Sequence, residues 1–420
     1  MFFLFITGVL LFDRYFTHLN IKISWLNIYI TEIFIIFSLV ISFIVLLLKK
    51  NTDIFKQFPQ KAEFIIFTVI FLISFFSGLF KYEAGNVFRH AAILYYAIFY
   101  ILMVLIFNEK QNIVFYFQIY FIFISLIICI VKILNINIAN FAEFEYFYIS
   151  ISLIFSLFFF SYFKKAFCKI AALIVSIIFL YFIFNSSVKA TWAGLLFAFI
   201  FVIFGFIRYK FLRKYLKTII IVLIILILVG GALFALAMIK YPEIIVSAKE
   251  EISGLISFKN LNTISANNIK WRLIAWKDIF NDSLKKPFFG YGFGKLFNSE
   301  TLKNMPGWYE NGNEVGFIDP HNSYLSILYR CGFLGIMAYL WLIIRFFVIS
   351  LRSIKETNSE KENIIIFCLL TSVVFILFIS FFMVILEGPY MGIFLWINMG
   401  LIVSLIYSMK NREKLESKLL

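Results

Sequence analysis

The chain has 420 residues, of which 63% are hydrophobic and only 15% are charged. A soluble domain is nearer half apolar and a quarter charged, so this composition excludes ordinary soluble domains and predicts an all-α polytopic membrane protein. The net charge of +15 does not indicate nucleic-acid binding, because the basic residues lie in short segments between apolar runs rather than along one stripe.

The apolar runs predict about twelve membrane spans, since one crossing needs about 20 residues. The predicted spans are 1–12, 26–48, 62–80, 88–108, 112–134, 146–163, 166–184, 191–207, 218–239, 323–351, 363–384 and 391–409. The first is shorter than a normal span, so eleven is the alternative count. It lacks a basic segment and a cleavage site, so we interpret it as a span rather than a signal peptide.

These spans divide the chain into four parts. Spans one to nine fall within 1–239, a long loop covers 240–322, spans ten to twelve fall within 323–409, and a tail covers 410–420.

Orientation follows from the distribution of Lys and Arg. One alternating set of loops, with the tail, holds 21 of them, whereas the other short loops hold only Arg14, Lys22, Lys81, Arg89 and Lys189. Because basic loops stay in the cytoplasm, both termini are predicted to be cytoplasmic and the loop 240–322 is predicted to lie outside.

That loop carries an amphipathic pattern and is predicted to form an ordered cap over the membrane domain. Ile269, Leu273, Trp276, Phe280 and Leu284 recur at helical spacing, giving a helix over 269–284 with one apolar face. The run Pro287-Phe-Phe-Gly-Tyr-Gly-Phe-Gly294 then predicts a tight turn after the helix.

The four cysteines, Cys129, Cys168, Cys331 and Cys368, lie in or beside apolar spans without CxxC spacing. We interpret them as small buried hydrophobes. No metal site, disulfide or cofactor is predicted.

Polar groups that suit a reaction collect on the outer face. The candidates are Arg89, His90, Lys189, Lys270, Arg272, Asp319 and His321. Basic residues at span ends also serve as headgroup anchors, and that alternative stays open for Arg89 and Lys189. His18, the third histidine of the chain, lies in a short loop and is interpreted as solvated.

His321 is the candidate general base. In a helix beginning at His321, Gly332 and Gly335 fall on the same stripe, which predicts close approach of another helix. A helix-capping histidine over an ordinary packing stripe is the alternative. Arg330 falls on the opposite side of that helix, and a charge within a span needs a partner that the sequence does not identify.

These residues resemble the bacterial O-antigen ligases and the related O-antigen polymerases. His321-Asn322, nine residues and Gly332-x-x-Gly335 resemble the ligase signature, which follows the long loop in that family. Within the loop, Arg272, Trp276 and Pro287-x-x-Gly290-x-Gly292 resemble the family's loop segment. The family has Arg in the short outer loop before the eighth span, whereas this chain has Lys189, which lacks a bidentate fork.

The resemblance implies a GT-C-like glycosyltransferase of the bacterial inner membrane that needs no metal. Its donor would be a glycan on undecaprenyl pyrophosphate, and its acceptor would be a hydroxyl of lipid A–core at the periplasmic face. His321 would act as base. Arg272, Lys189 and Arg89 would bind pyrophosphate, with Asp319, Asn322 and Lys270 in support.

Two other functions remain open. A polymerase would join two lipid-linked repeat units instead of modifying lipid A–core. A flippase would move lipid-linked glycan, although the sequence shows neither matching halves nor polar groups at the midplane. Attachment of the glycan to a protein and a purely structural role are more distant alternatives.

Overall fold

The computed structural model describes most of the chain as helices. The described residues are 2–17, 19–23, 26–49, 59–107, 111–136, 138, 145–186, 188–213, 264–303, 320–357, 359–389 and 391–419. His18, Asp319, the predicted span 218–239 and the first part of the loop lie outside these ranges.

The amino-terminal half contains eleven helices within the described ranges. They are α1 Phe2–Thr17, α2 Ile30–Lys49, α3 Lys61–Leu79, α4 Ala84–His90, α5 Ala92–Tyr96, α6 Ile98–Phe107, α7 Gln111–Ile133, α8 Glu145–Tyr162, α9 Ala166–Phe184, α10 Lys189–Arg208 and α11 Lys210–Arg213. The remainder of the described chain contains α12 Ile264–Ser283, α13 Glu300–Lys303, α14 Ser323–Glu356, α15 Glu360–Ile379 and α16 Met391–Leu419.

Eight of these helices are long and apolar enough to cross a membrane. A ninth crossing is formed if Ala84–His90 and Ala92–Phe107, which meet at an angle of 45°, make one bent span. Two shorter apolar helices, Phe2–Phe12 and Ile30–Val40, coincide with the first two predicted spans. The chain is therefore a mostly helical, multi-pass membrane protein.

The fourth predicted span, 88–108, differs from the continuous helix that the sequence indicated. It is divided into α4, α5 and α6 at Ala91 and Ala97, and at the first break Ala91 has φ −78° and ψ 4°, outside the helical range. The first break comes directly after the polar pair Arg89-His90.

A short hairpin precedes α2, where the sequence predicted only a span. Strand β1, Asn20–Ile23, pairs antiparallel with β2, Leu26–Tyr29, with Asn20 opposite Tyr29. The alternation of polar and β-branched residues accounts for these strands, and the second span begins at Ile30 rather than at residue 26.

The carboxy-terminal helices form the centre of the bundle. Nearly all of α15 and the apolar part of α16 are buried, whereas α3, α9 and α10 each expose one apolar face. Helices exposing apolar side chains on one side and burying the rest are typical of the periphery of a membrane bundle. Helix α16 continues through the predicted tail to Leu419.

Candidate active site

The loop helix α12 contacts the segment that leads into α14. The indole Nε1 of Trp276 donates a hydrogen bond of 2.6 Å to the carbonyl oxygen of Pro320. The edge of the Trp271 ring meets the His321 ring, with centroids 5.2 Å apart and planes at 74°. Two tryptophans, five residues apart, therefore place the segment carrying the candidate base against α12.

Arg272 belongs to the same turn of α12. Its Cζ lies 5.6 Å from the centroid of the Trp271 ring, within the range of a cation–π interaction. Trp271 thus contacts both the candidate base and the candidate pyrophosphate ligand. Arg272 and His321 are both half-buried, so an approaching substrate retains access to them.

The backbone at His321 corrects one premise of the sequence prediction. His321 has φ +44°, a left-handed conformation that is uncommon for residues other than glycine. It therefore precedes the helix instead of belonging to it. The helix cap is Asn322, whose Oδ1 accepts hydrogen bonds from the amides of Tyr324 at 3.0 Å and Leu325 at 3.1 Å. This gives Asn322, predicted as a supporting residue, a definite structural role.

Helix α14 is also broken at Gly332, which has φ 67° and ψ −170°. A Cβ there would overlap the carbonyl oxygen of Phe288 and lie 2.6 Å from the amide nitrogen of Gly290. The nearest atoms to a Cβ at Gly335 would belong to Cys331 and Ile327 of its own helix. The predicted helix-packing stripe through Gly332 and Gly335 is therefore wrong: what approaches Gly332 is a turn of the loop.

That turn is the glycine run after α12. Gly290, Gly292 and Gly294 all have positive φ, at 65°, 92° and 94°, which glycine adopts without a steric penalty. A Cβ on Gly290 would meet the backbone of Tyr329 and Arg330 at 2.6–2.7 Å. The tight turn predicted from the sequence is present, and each glycine allows a close backbone approach.

Backbone hydrogen bonds join this turn to two spans. The pairs are Tyr291 N to Tyr329 O (3.0 Å), Gly292 N to Arg330 O (2.9 Å), Phe293 N to Ser74 O (3.1 Å), Phe333 N to Pro287 O (2.6 Å) and Leu334 N to Phe288 O (3.2 Å). The break at Gly332 frees carbonyls and amides of α14, and the turn satisfies them. Loop and span thus form one hydrogen-bonded unit below His321.

The segment between α15 and α16 surrounds the first residue of α14. The Ser323 amide donates to the carbonyl of Ser380 at 2.8 Å, and the Ser323 hydroxyl donates to Met383 at 2.9 Å. The same hydroxyl accepts from the amides of Ile385 at 3.1 Å and Leu386 at 3.3 Å. These bonds fix the backbone two residues beyond His321.

A buried ion pair provides the partner of Arg330 that the sequence did not reveal. The Arg330 guanidinium lies 2.6 Å from Oε2 of Glu387, with side chains only 3% and 10% exposed. Ser326 bonds to both residues, and the Phe297 ring centroid lies 4.6 Å from Arg330 Cζ. The pair joins α14 to the segment before α16 and to the loop.

Asp282, near the end of α12, accepts hydrogen bonds from the hydroxyls of Tyr291 and Tyr329, each at 3.0 Å. It also pairs with Lys285 at 3.0 Å. Burial opposes the charged form, but the bonds from Lys285 and the two tyrosines outweigh it and hold the pKa of Asp282 below its usual value. Burial and the Asp282 charge raise the pKa of Tyr291 to about 12.

The other candidates lie on neighbouring elements. Arg89 is exposed at the end of α4, a helix that reaches the loop, since a Cβ on Gly294 would lie 2.6 Å from Val87. Lys270 lies two residues before Arg272 in α12. Asp319 lies outside the described residues.

Lys189 is the first residue of α10 and is exposed. That helix packs on α15, with Gly194 close to Phe375 and Ile379. Ile379 directly precedes Ser380, which bonds to Ser323, so Lys189 lies at the same end of the bundle as His321.

His90 is buried at the bend after α4, and Arg89 and Arg330 interact with it electrostatically. It therefore belongs beside the Arg330 ion pair. All four cysteines are free thiols, and the described part of the chain holds no cluster of three or more His, Cys, Asp or Glu suited to a metal.

The segment that contains these contacts also matches a known family. Residues 174–340 match the family model described as O-antigen ligase. The match begins in α9 and ends in α14, so it includes Lys189, Arg272, the glycine turn and His321. No curated protein matches the chain.

Proposed function

We propose that this protein is a membrane glycosyltransferase acting as an O-antigen ligase, because residues 174–340 match the O-antigen ligase family model. The donor is a glycan on undecaprenyl pyrophosphate, and the acceptor is a sugar hydroxyl of lipid A–core. The site faces the periplasm from a bacterial inner membrane, in a GT-C-like arrangement of helices, as the distribution of basic residues supports.

The observation that carries this proposal is the contact of Trp271 with both His321 and Arg272. Transfer needs a base for the acceptor hydroxyl and a cation for the leaving pyrophosphate. The two groups belong to different elements, α12 and the entrance of α14, and the tryptophans hold those elements together.

In the proposed reaction, the acceptor oxygen attacks the anomeric carbon and its proton passes to the His321 imidazole, a side chain of the type that most often serves as a general base. The bond between the anomeric carbon and the phosphate oxygen breaks, and the electron pair leaves with the lipid pyrophosphate. Arg272, with Lys189 or Arg89, stabilises the growing negative charge. The pyrophosphate already activates the glycan, so the chemistry needs no metal.

The direct test uses purified full-length protein in detergent, with undecaprenyl-pyrophosphate-linked glycan as donor and lipid A–core as acceptor. Wild type should decorate the acceptor, and His321→Ala should lose transfer by at least about 100-fold, as expected for a general base. Thermal unfolding checks that the variant is folded. Undiminished transfer by a folded His321→Ala protein would refute the assigned role.

A charge series at Arg272 tests the second role. Arg272→Lys should retain part of the activity because it keeps a point charge without the bidentate fork, whereas Arg272→Glu should abolish it. Lys81→Glu is the matched control, since Lys81 is exposed at the outer end of α3 and bonds to Ser77. Equal activity of Arg272→Glu and the control would make Arg272 structural.

The same assay distinguishes a ligase from a polymerase and from a flippase by the acceptor that the glycan reaches. If the protein lengthens the lipid-linked glycan when lipid A–core is absent, it is a polymerase joining repeat units. Movement of donor across a vesicle bilayer without any new glycosidic bond would instead establish the flippase alternative. Transfer that depends on lipid A–core supports the ligase.

A further inference from the structure

The loop helix α12 has two apolar faces, and only one of them is covered. Ala275 and Ile279 are almost fully buried, Ala275 against Leu302 and Ile279 against Phe297 and Tyr329. Three residues of the apolar face predicted from the sequence are exposed instead: Leu273, Phe280 and Leu284 are each 43–49% exposed.

The exposed face continues into the turn that follows. Phe288 is 67% exposed and Phe289 is 48% exposed. We name the five residues the apolar ridge; they are Leu273, Phe280, Leu284, Phe288 and Phe289. Three exposed lysines accompany the ridge, namely Lys277, Lys285 and Lys286.

The turn is attached to α14 well below that helix's outer end. Leu334, whose amide bonds to Phe288, is eleven residues beyond Ser323, or about 16 Å along a helix with 1.5 Å rise per residue. The exposed apolar side of α14 extends to Val348. A membrane crossing of about 20 residues that ends at Val348 begins near Tyr329. Leu334 and its partner Phe288 therefore lie at the depth of the outer leaflet.

The ridge is also continuous with the lipid-facing side of the same span. Beyond the break, α14 exposes Met337, Leu340, Trp341, Ile344 and Val348, an apolar side of the kind that faces acyl chains. Phe288 bonds through its carbonyl to Leu334, one turn before Met337, so the two exposed surfaces meet.

Irregular backbone at membrane depth is tolerated only where its polar groups are satisfied by protein. Several backbone groups of the turn meet this condition, since Gly290 bonds to Lys286, and Tyr291, Gly292 and Phe293 bond to α14 or α3. The Pro287 and Phe288 carbonyls accept from Phe333 and Leu334. These bonds shield that part of the backbone, and the Phe288 and Phe289 side chains remain exposed.

We propose that the apolar ridge is a membrane-contact surface: the turn 287–294 re-enters the outer leaflet with Phe288 and Phe289 among the acyl chains, and α12 lies along the headgroup boundary. Lys277 and Lys286 extend to the phosphates, as lysines at interfaces do, while Lys285 pairs with Asp282. The occupant is the phospholipid of the bilayer that holds the spans. The cap is therefore anchored to the membrane beside the candidate site.

The test uses full-length protein in phospholipid nanodiscs with Cys168, the half-buried cysteine, replaced by Ser. Single cysteines at Phe280→Cys, Leu284→Cys and Phe288→Cys carry nitroxide labels. Asn281→Cys, at an exposed polar position of the same helix, is the matched control. Accessibility of each label to oxygen, which partitions into lipid, is compared with accessibility to a water-soluble nickel chelate.

The proposal expects a higher ratio of oxygen to nickel accessibility at all three ridge positions than at Asn281→Cys, with the deepest label at Phe288→Cys. Nickel accessibility at the ridge equal to that of the control would place the ridge in water and overturn the proposal. Protection from both reagents would mean that protein covers the ridge. If that protection weakened on dilution of the protein in lipid, the occupant would be a second copy of this chain, which also overturns the proposal.

Discussion

The indole of Trp276 is hydrogen-bonded to the carbonyl of Pro320, the residue before His321. The two residues are 44 positions apart, and they connect the helix carrying the candidate pyrophosphate ligand to the segment carrying the candidate base. His321 itself has an unfavourable left-handed backbone, which costs of order 1–3 kcal/mol and persists only where surrounding contacts enforce it. Trp276 is one of those contacts.

Trp276→Phe should reduce glycan transfer by about fivefold while leaving the protein folded. The change keeps an aromatic ring but removes the Nε1 donor, and one hydrogen bond contributes about 1 kcal/mol net, or about fivefold in rate. Transfer rate and melting temperature are measured together, with Trp341→Phe on the exposed side of α14 as control. Identical rates for the two variants would mean that this bond does not position His321.

Gly332→Ala should destabilise the attachment of the loop to α14 and abolish transfer. Alanine there would need φ near +67° and its Cβ would overlap the Phe288 carbonyl, so the paired backbones must separate. Gly85→Ala is the control, because only Glu83 comes within 4.0 Å of a Cβ at that position. Limited proteolysis of the loop, compared with wild type, reports the separation.

If Gly332→Ala left both proteolysis and transfer unchanged, the turn would not depend on the break in α14. Gly85→Ala is expected to match wild type in both measurements, since alanine favours a helix over glycine.

The sequence predicted the elements of this site better than their surroundings. The spacing of Ile269 to Leu284 correctly indicated a helix, but Leu273 and Phe280 are exposed whereas Ala275 and Ile279 are buried. Hydrophobicity alone misleads here, because acyl chains and protein interior are equally apolar. A periodic pattern therefore identifies the helix but not which apolar face meets protein.

The contacts around His321 show a second limit of prediction from the sequence. Helical geometry assigned Gly332 to a packing stripe, which assumed a continuous helix from His321. A left-handed residue at each of these positions breaks that assumption, and the cause is a loop 40 residues upstream that supplies the hydrogen bonds. The periodicity of a sequence does not reveal hydrogen bonds between a loop and a distant helix. For the same reason it did not reveal the ion pair of Arg330 with Glu387.

The cap should loosen in acid through Asp282. Its folded pKa lies below the ordinary value of 3.8, so its bonds to Tyr291, Tyr329 and Lys285 stabilise the cap fully at pH values above 3.8. As the pH falls through the folded pKa, the unfolded cap binds the proton first and this stabilisation is lost. The protection factors of the α12 amides, which take account of the intrinsic slowing of exchange in acid, should fall in wild type as the pH is lowered from 5.

Asp282→Asn provides the matched control for that titration. It should exchange faster than wild type at pH 5 because a neutral amide accepts weaker hydrogen bonds, and its protection should change much less between pH 5 and pH 3. An equally steep acid response in Asp282→Asn would assign the loosening to other carboxyl groups.

The buried ion pair of Arg330 and Glu387 predicts strongly non-additive mutations. Removing either partner leaves an uncompensated charge beneath the outer surface, so Arg330→Met and Glu387→Leu should each destabilise the protein by roughly 3–5 kcal/mol. The double variant should lie closer to wild type than either single change, because two apolar residues no longer bury a charge. Thermal unfolding in detergent gives the coupling energy through a double-mutant cycle.

The rate of glycan transfer should follow a different pattern from stability in the wild type, the two single variants and the double variant. Glu387 precedes α16 in the segment that surrounds Ser323, so the pair positions the entrance of α14 as well as stabilising it. We therefore expect the double variant to regain stability but to remain slower than wild type in kcat. Full recovery of both quantities would show that the ion pair serves stability alone, and additive losses of stability would show that the two charges do not interact.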